Sequence, residues 1–438
     1  MNLPVEYSDK PVTPFGGLEL MKRFVDQIKI REHLDTLDLP SKGSNRSYDS
    51  KDVVESFWLN IWAGASKYVH CNILRQDQVL KRIFGLSQIP SQSTYSRFFG
   101  KFSQARNTAV FPEIQSWFFK QINTGAITVD FDSTVITREG QQEGAAVGYN
   151  PNRRGRNSHH PLMAFTAETK MVVNAWLRPG NTAASSNCEA FFEETFNQSL
   201  NGQKVGLVRA DSGFYTEKLL TDLETRKLNY IIATRAYPNV KHKIGGLTEW
   251  VEICNGISVC EFTHQFQQPG AKARRHFVVR KEVKKRPEAG GKQLFEELPC
   301  YRYSVYVTNL DLPISEIWNI YNGRADCENR IKELKQDFGL ESFCLKDFWA
   351  TEASFRLSLV AYNLMILFQH IALNQGKKKT LHTLRTLQSK CFAIGAWTRT
   401  HARKCLLMIS LPKQRRRWMT KIRDQIPTIN FPVTFSNA

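Results

Sequence analysis

The chain has 438 residues, 42% of them hydrophobic and 23% charged, which is the composition of a folded globular protein and excludes a disordered or fibrous one. Its 60 Lys and Arg against 41 Asp and Glu leave a formal charge of +19, which points to a polyanionic partner, nucleic acid first. At roughly 150 residues per domain, the length predicts about three domains.

Residues 1–124 read as a helical N-terminal DNA-binding domain. Asp49 and Ser50 can cap a helix through Val53, Val54, Phe57, Trp58, Ile61 and Trp62, whose i, i+3, i+4 spacing makes one apolar face. A second helix is expected from about Leu74 to Phe84, stopped by Gly85, and a third after the hydroxyl-rich Ser91-Gln-Ser-Thr94. Together they have the form of a helix-turn-helix, whose second helix would enter a major groove; a plain helical hairpin has the same pattern.

From Ile127 the period changes to two. Ile127–Ile136, Leu162–Thr166, Met171–Leu177, Val205–Ala210 and Tyr230–Thr234 alternate as strands, with a helix over Thr216–Arg226 between the last two. Three strands, then strand, helix, strand, is the order of a ribonuclease-H-like α/β core. Residues 125–235 are its expected first part and 313–375 its second. Between them, 236–312 read as a β-rich insertion, with strands at Ile257–His264, Arg274–Val283 and Tyr301–Thr308 and breaker-rich loops at Gln267–Lys272 and Lys284–Gly291. Helical pattern resumes at Ile314. The apolar stretch Leu357–Leu373 is interrupted by Ser358, Asn363, Gln369 and His370, so it reads as a buried helix and not a membrane span.

Residues 376–438 read as a basic helical C-terminal region. From Lys377 onward, 14 Lys and Arg face one acid, Asp424, which is +13 of the +19. Trp397, Trp418 and the apolar Cys405–Leu411 interleave with the charge and favour a surface that follows a phosphate backbone, with Arg415, Arg416 and Arg417 at its centre. The nine cysteines are odd in number, scattered and free of any C-x-x-C pair, which fits reduced thiols in a cytoplasm. No basic segment followed by an apolar stretch opens the chain, so export is not expected.

Three acidic positions are candidates for chemistry. Asp130 and Asp132 lie two apart on a strand and project from one face. Asp211 closes the apolar run Val205–Ala210 just before Ser212-Gly213, at the strand edge where ligands collect in open α/β sheets. On a later helix, Arg324, Glu328, Ile331 and Lys335 are spaced by four, three and four and share one face, a spacing that a solvated salt-bridge ladder also produces.

Taken together, these residues resemble the DDE transposases of bacterial insertion sequences. The branch concerned carries a β-rich insertion in its ribonuclease-H-like core and a Y-x2-R-x3-E-x6-K signature, which Tyr321, Arg324, Glu328 and Lys335 match at every gap. Its first acid usually stands in D-x-[ST], as in Asp132-Ser-Thr134, with Asp130 the other choice; its second closes a strand before a small-residue turn, as Asp211-Ser-Gly213 does. The Gly-rich stretch 138–160 looks like the connection that follows the first acid in one subgroup.

The resemblance implies that Asp132, Asp211 and Glu328 are both catalytic and metal-binding, that Tyr321, Arg324 and Lys335 touch DNA, and that two transposase copies meet in a synaptic homodimer in a bacterial cytoplasm. In-line displacement at a phosphodiester suits two ions about 3.5–4 Å apart. Carboxylates suit hard Mg²⁺, for which Mn²⁺ is expected to substitute. The DNA partners would be double-stranded: the terminal inverted repeats and the target. The chain has no G-x-x-x-x-G-K-[ST], so no nucleotide loop is expected. Two other readings remain: a noncatalytic DNA-binding protein, and a structure-specific nuclease of the same core fold.

Overall fold

The computed structural model describes residues 3–44, 47–283, 301–374, 381–402 and 404–435. The expected loop at Lys284–Gly291, Cys300, and Lys377–Lys379 and Arg403 of the basic run lie outside the described residues.

Among the described residues, nine strands form the main sheet: β1 (Ile127–Ser133), β2 (Leu162–Thr166), β3 (Val172–Trp176), β4 (Val205–Ala210), β5 (Asn229–Thr234), β6 (Val251–Cys254), β7 (Ile257–His264), β8 (Arg274–Glu282) and β9 (Tyr301–Thr308). Their order is β6-β7-β8-β9-β5-β4-β1-β2-β3. The half made of β3-β2-β1-β4-β5 has β1, β4 and β5 parallel and β2 antiparallel to β1, which is the ribonuclease-H-like arrangement expected from the strand order. The strands of 251–308 continue this same sheet: β9 pairs antiparallel with β5, and β8, β7 and β6 follow in turn. β6 has no counterpart in the sequence reading, because its four residues are too few to show a period.

The sheet is held from one side by the helix Phe348–Phe368, whose residues from Ala350 onward are all buried. It is long and apolar enough to cross a membrane, but 89% of its most apolar window is buried inside the protein. Its polar side chains are spent on neighbours. Asn363 accepts from Val172 N at 2.8 Å and donates to Val172 O at 2.8 Å, and Arg356 reaches Glu194 at 3.2 Å, so the helix is bonded to edge strand β3 and to what flanks it.

The N-terminal helices dock on this same helix. Asp49 caps Ser50–Trp62 by accepting from Lys51 N at 3.0 Å. Trp58 Nε1 donates to Leu357 O and Trp62 Nε1 to Ala361 O, each at 3.1 Å. Both partners advance by four residues, so the two helices run parallel and in phase, and their faces belong to one continuous hydrophobic core. The second expected helix begins later, as Gln78–Phe84, because the Asp77 carboxylate caps its start by accepting from Val79 N and Leu80 N, and a separate helix, Tyr68–Leu74, precedes it. Gly85 ends it at φ +64°, a left-handed turn that suits glycine. Ser91 caps Gln92–Phe99, whose Gln92, Ser93, Ser96 and Arg97 are exposed while Tyr95, Phe98 and Phe99 are buried. The C-terminal region holds the helix Lys413–Gln425 and also a hairpin of Ala396–His401 and Lys404–Ile409, which pairs with Val12–Thr13 near the N-terminus. That hairpin departs from the helical expectation, since its strands mix apolar and basic residues without a clean alternation.

Candidate active site

Register brings the first two acids together. Along the parallel pair β1 and β4, Asp130 lies opposite Arg209 and Phe131 opposite Ala210. Asp132 is the next residue on β1 and Asp211 the first after the end of β4, so both stand at the carboxyl edge of the sheet. Alternation separates the two faces of β1. Phe131 turns to one face and packs on Phe191, Phe192, Phe196 and Phe214, while Asp130 and Asp132 turn to the other, where the signature helix Ala325–Asp337 crosses.

That helix is docked through charge. Arg324, 6% exposed, places Nη2 3.1 Å from Asp132 Oδ1 and Nη1 3.6 Å from Glu328 Oε1, and donates to Phe131 O at 3.3 Å. One guanidinium thus joins two of the three acids. The Cys327 Sγ lies 4.0 Å from Asp132 Oδ2, and burial raises that thiol well above its ordinary range. Burial pushes Asp132 up to about 6; Arg324 opposes the shift, and the charges of Asp211 and Glu328 add to it. The Asp211 carboxylate accepts from Gly213 N at 2.9 Å and caps the short turn Ser212–Phe214. Glu328 is the exposed member, with 70% of its side chain accessible.

Asp130 is a different case from Asp132. Both of its oxygens accept from Arg209, Nε at 2.6 Å and Nη2 at 2.7 Å, and both side chains are almost wholly buried. Arg209 also donates to Ile320 O, so one arginine ties β4 to β1 and to the helix Ile314–Asn322 that leads into the signature. The sequence reading missed Arg209. The signal was present as a lone charge inside the apolar run Val205–Ala210, since a charge in a buried strand requires a partner.

The remaining signature residues are engaged within the protein. The Tyr321 hydroxyl donates to Ala210 O at 3.3 Å and its ring packs on Tyr306. Lys335 donates to Val135 O at 2.7 Å and lies 3.5 Å from Glu341; burial lowers its pKa. Arg415, Arg416 and Arg417 are exposed on the helix Lys413–Gln425, where Arg415 donates to Lys390 O and Arg416 to Leu411 O.

A second layer, also missed, supports the acids. His160 Nε2 lies 3.2 Å from Ser133 Oγ and its Nδ1 2.7 Å from Thr182 O. Arg178, 4% exposed, donates from Nε to His160 O and from Nη1 to Ala183, Ala184 and Ser186 carbonyls. A Cβ on Gly213 would meet Ala184 Cβ at 2.8 Å, so the segment that Arg178 organises abuts the turn after Asp211.

Carboxylates are the donor type that hard divalent ions take, and Asp132, Asp211 and Glu328 are the three acids at this edge of the sheet. Among the described residues, no three acidic, His or Cys side chains converge to hold an ion, and Arg324 supplies the positive charge between Asp132 and Glu328.

No curated protein matches the chain at a significant level. Among solved structures, the piggyBac transposase synaptic complex with hairpin DNA matches with a TM-score of 0.46 at 12% identity, over 88% of this chain and 83% of that one. Residues 2–430 match the Transposase DDE domain group 1 family, and the chain belongs to that family of DDE transposases.

Proposed function

We propose that the protein is the transposase of a bacterial insertion sequence, which cleaves DNA at the ends of its own element and joins them to target DNA. The observation that carries this is the placement of Asp132 and Asp211 side by side at the sheet edge, with Glu328 linked to Asp132 through Arg324. Asp132, Asp211 and Glu328 would hold Mg²⁺, or Mn²⁺ in its place. Such ions supply charge for the attacking and leaving oxygens of an in-line displacement. Asp132 would be the first acid, because Asp130 has both oxygens committed to Arg209.

The chain's own contribution is positional. The register of β1 and β4 sets the spacing of the two aspartates, Arg324 fixes the signature helix against β1, Tyr321 anchors the helix before it and Lys335 its far end. The substrates would be the double-stranded terminal inverted repeats and a target duplex, held in a synaptic homodimer, with the exposed basic helix Lys413–Gln425 contributing phosphate contacts.

The test is a gel assay with one transposon end, Mg²⁺ and a target plasmid. Cleavage followed by joined product supports the proposal. Binding without cleavage identifies a noncatalytic DNA-binding protein, and cleavage without joining identifies a nuclease of the same fold.

A further inference from the structure

The Gly-rich stretch after Asp132 is an ordered β-tongue in which Ile136–Thr137, Asn157–His159 and Ala146–Val147 form a three-stranded sheet. It leaves β1 three residues after Ser133 and returns to β2, so both of its roots lie beside the carboxylates.

Its base is rigid. A Cβ on Gly148 would run into the Gly180 carbonyl oxygen, and one on Gly180 into that of Ser158, so the tongue and the segment organised by Arg178 interlock backbone against backbone. Asn150 is 4% exposed; its Nδ2 donates to Thr137 Oγ1 at 3.0 Å and its Oδ1 accepts from Arg153 N at 2.9 Å, fixing the turn. His159 is fully buried and accepts from Arg138 Nε at 2.9 Å.

The outer side chains have the opposite character. Tyr149 is 73% exposed, and Arg153, Arg154 and Arg156, four to seven residues further along the chain, are exposed as well. Among the described residues, the tongue's single ion pair is Arg153 with Glu139, which leaves Arg154 and Arg156 without an acidic partner. An exposed aromatic ring on a stiff support, flanked by free arginines, is the combination on which unpaired bases stack while phosphates are held.

We propose that the tongue grips the DNA strand beside the cut, with Tyr149 stacked on an unpaired base at the transposon end and Arg154 and Arg156 on the flanking phosphates. The proposal rests on the transposase reading and names the DNA feature that its site recognises.

Fluorescence anisotropy with the full chain tests it on two probes: a fully paired duplex, and the same duplex with its terminal bases mismatched. The wild type should prefer the frayed probe. Tyr149→Ala should lose roughly 5- to 150-fold on that probe and little on the paired one, the span expected for one base stack, whereas Tyr149→Phe should retain the preference. Arg154→Ala with Arg156→Ala should make the slope of log K against log salt shallower by up to about 1.4 on the frayed strand. Tyr149→Ala binding both probes as the wild type does would overturn the tongue's role and leave the transposase reading intact. A wild-type chain that binds neither probe would overturn both.

Discussion

Arg209 and Asp130 form a two-pronged ion pair at the rung where β4 and β1 lie opposite each other, with bonds of 2.6 and 2.7 Å. Two residues further along the same face, Asp132 shares one oxygen with Arg324 at 3.1 Å and has a thiol, not a cation, near the other. Neighbouring aspartates thereby acquire different work. One, through Arg209, ties the strands to the helix Ile314–Asn322, and the other faces the sheet edge with its charge only partly met.

Asp132→Asn, Asp211→Asn and Glu328→Gln are each expected to abolish metal-dependent cleavage while DNA affinity stays within a few-fold of wild type. Each change removes carboxylate charge without touching the basic surfaces. Parallel gel cleavage and anisotropy measurements separate chemistry from binding. Retained cleavage in all three variants would defeat the mechanism.

Asp130→Ala is expected to act mainly on stability. It leaves the Arg209 guanidinium buried without a counter-charge, a loss that costs about 3–5 kcal/mol. Urea unfolding should show the shift in midpoint, and cleavage by the folded fraction should survive. A stable Asp130→Ala protein that is catalytically dead would instead make Asp130 the first acid.

The contrast between these two residues shows what was legible in the sequence. Apolar runs and period-two alternation placed β2, β4, β5, β7, β8 and β9 within one residue of their observed ends, because strands that pack in the core must alternate or run apolar. β1 ends three residues short of the expected Ile136, where the chain turns off into the tongue. The same alternation put Asp130 and Asp132 on one face. It said nothing of what sits across from them, since Arg209 and Arg324 reach them through strand register and through a helix about 190 residues downstream. Short elements were the other loss. The tongue, β6 and the Ala396–Ile409 hairpin have strands of two to six residues whose pairing, not composition, makes them strands.

Glu333 on the signature helix gives the fold a pH signature. Burial pushes its carboxyl up to about 7, against the pull of Arg330 and the Leu384 N–H. A carboxyl raised in the folded state favours the protonated native form. Its stabilising contribution is therefore complete below its unfolded value near 4.5 and is lost as pH rises through about 7. The difference in unfolding free energy between wild type and Glu333→Gln should change by about 2–4 kcal/mol between pH 4 and pH 8, with wild type losing ground as pH rises. Parallel pH profiles for the two proteins would remove Glu333 from this role.

The helix Lys413–Gln425 makes the last prediction. Arg415 and Arg416 use single donors on the Lys390 and Leu411 carbonyls, which are neutral, and among the described residues neither has an acidic partner. Arg417 is exposed beside them, and Trp418 stands half out of the surface with the Arg415 guanidinium 5.8 Å from its ring centre. If this face follows a DNA backbone, neutralising Arg415, Arg416 and Arg417 together should weaken binding equally for transposon-end and unrelated duplexes, because phosphate contacts position the protein without reading sequence. The slope of log K against log salt should become shallower by about 0.9 for each phosphate that an arginine no longer neutralises, up to about 2.7 for all three. A selective loss on the transposon end would assign the cluster to sequence recognition. An unchanged slope would make it a solvated face, and the electrostatic attraction would then have to come from the surface around the carboxylates and from Arg97 with its exposed neighbours on the helix Gln92–Phe99.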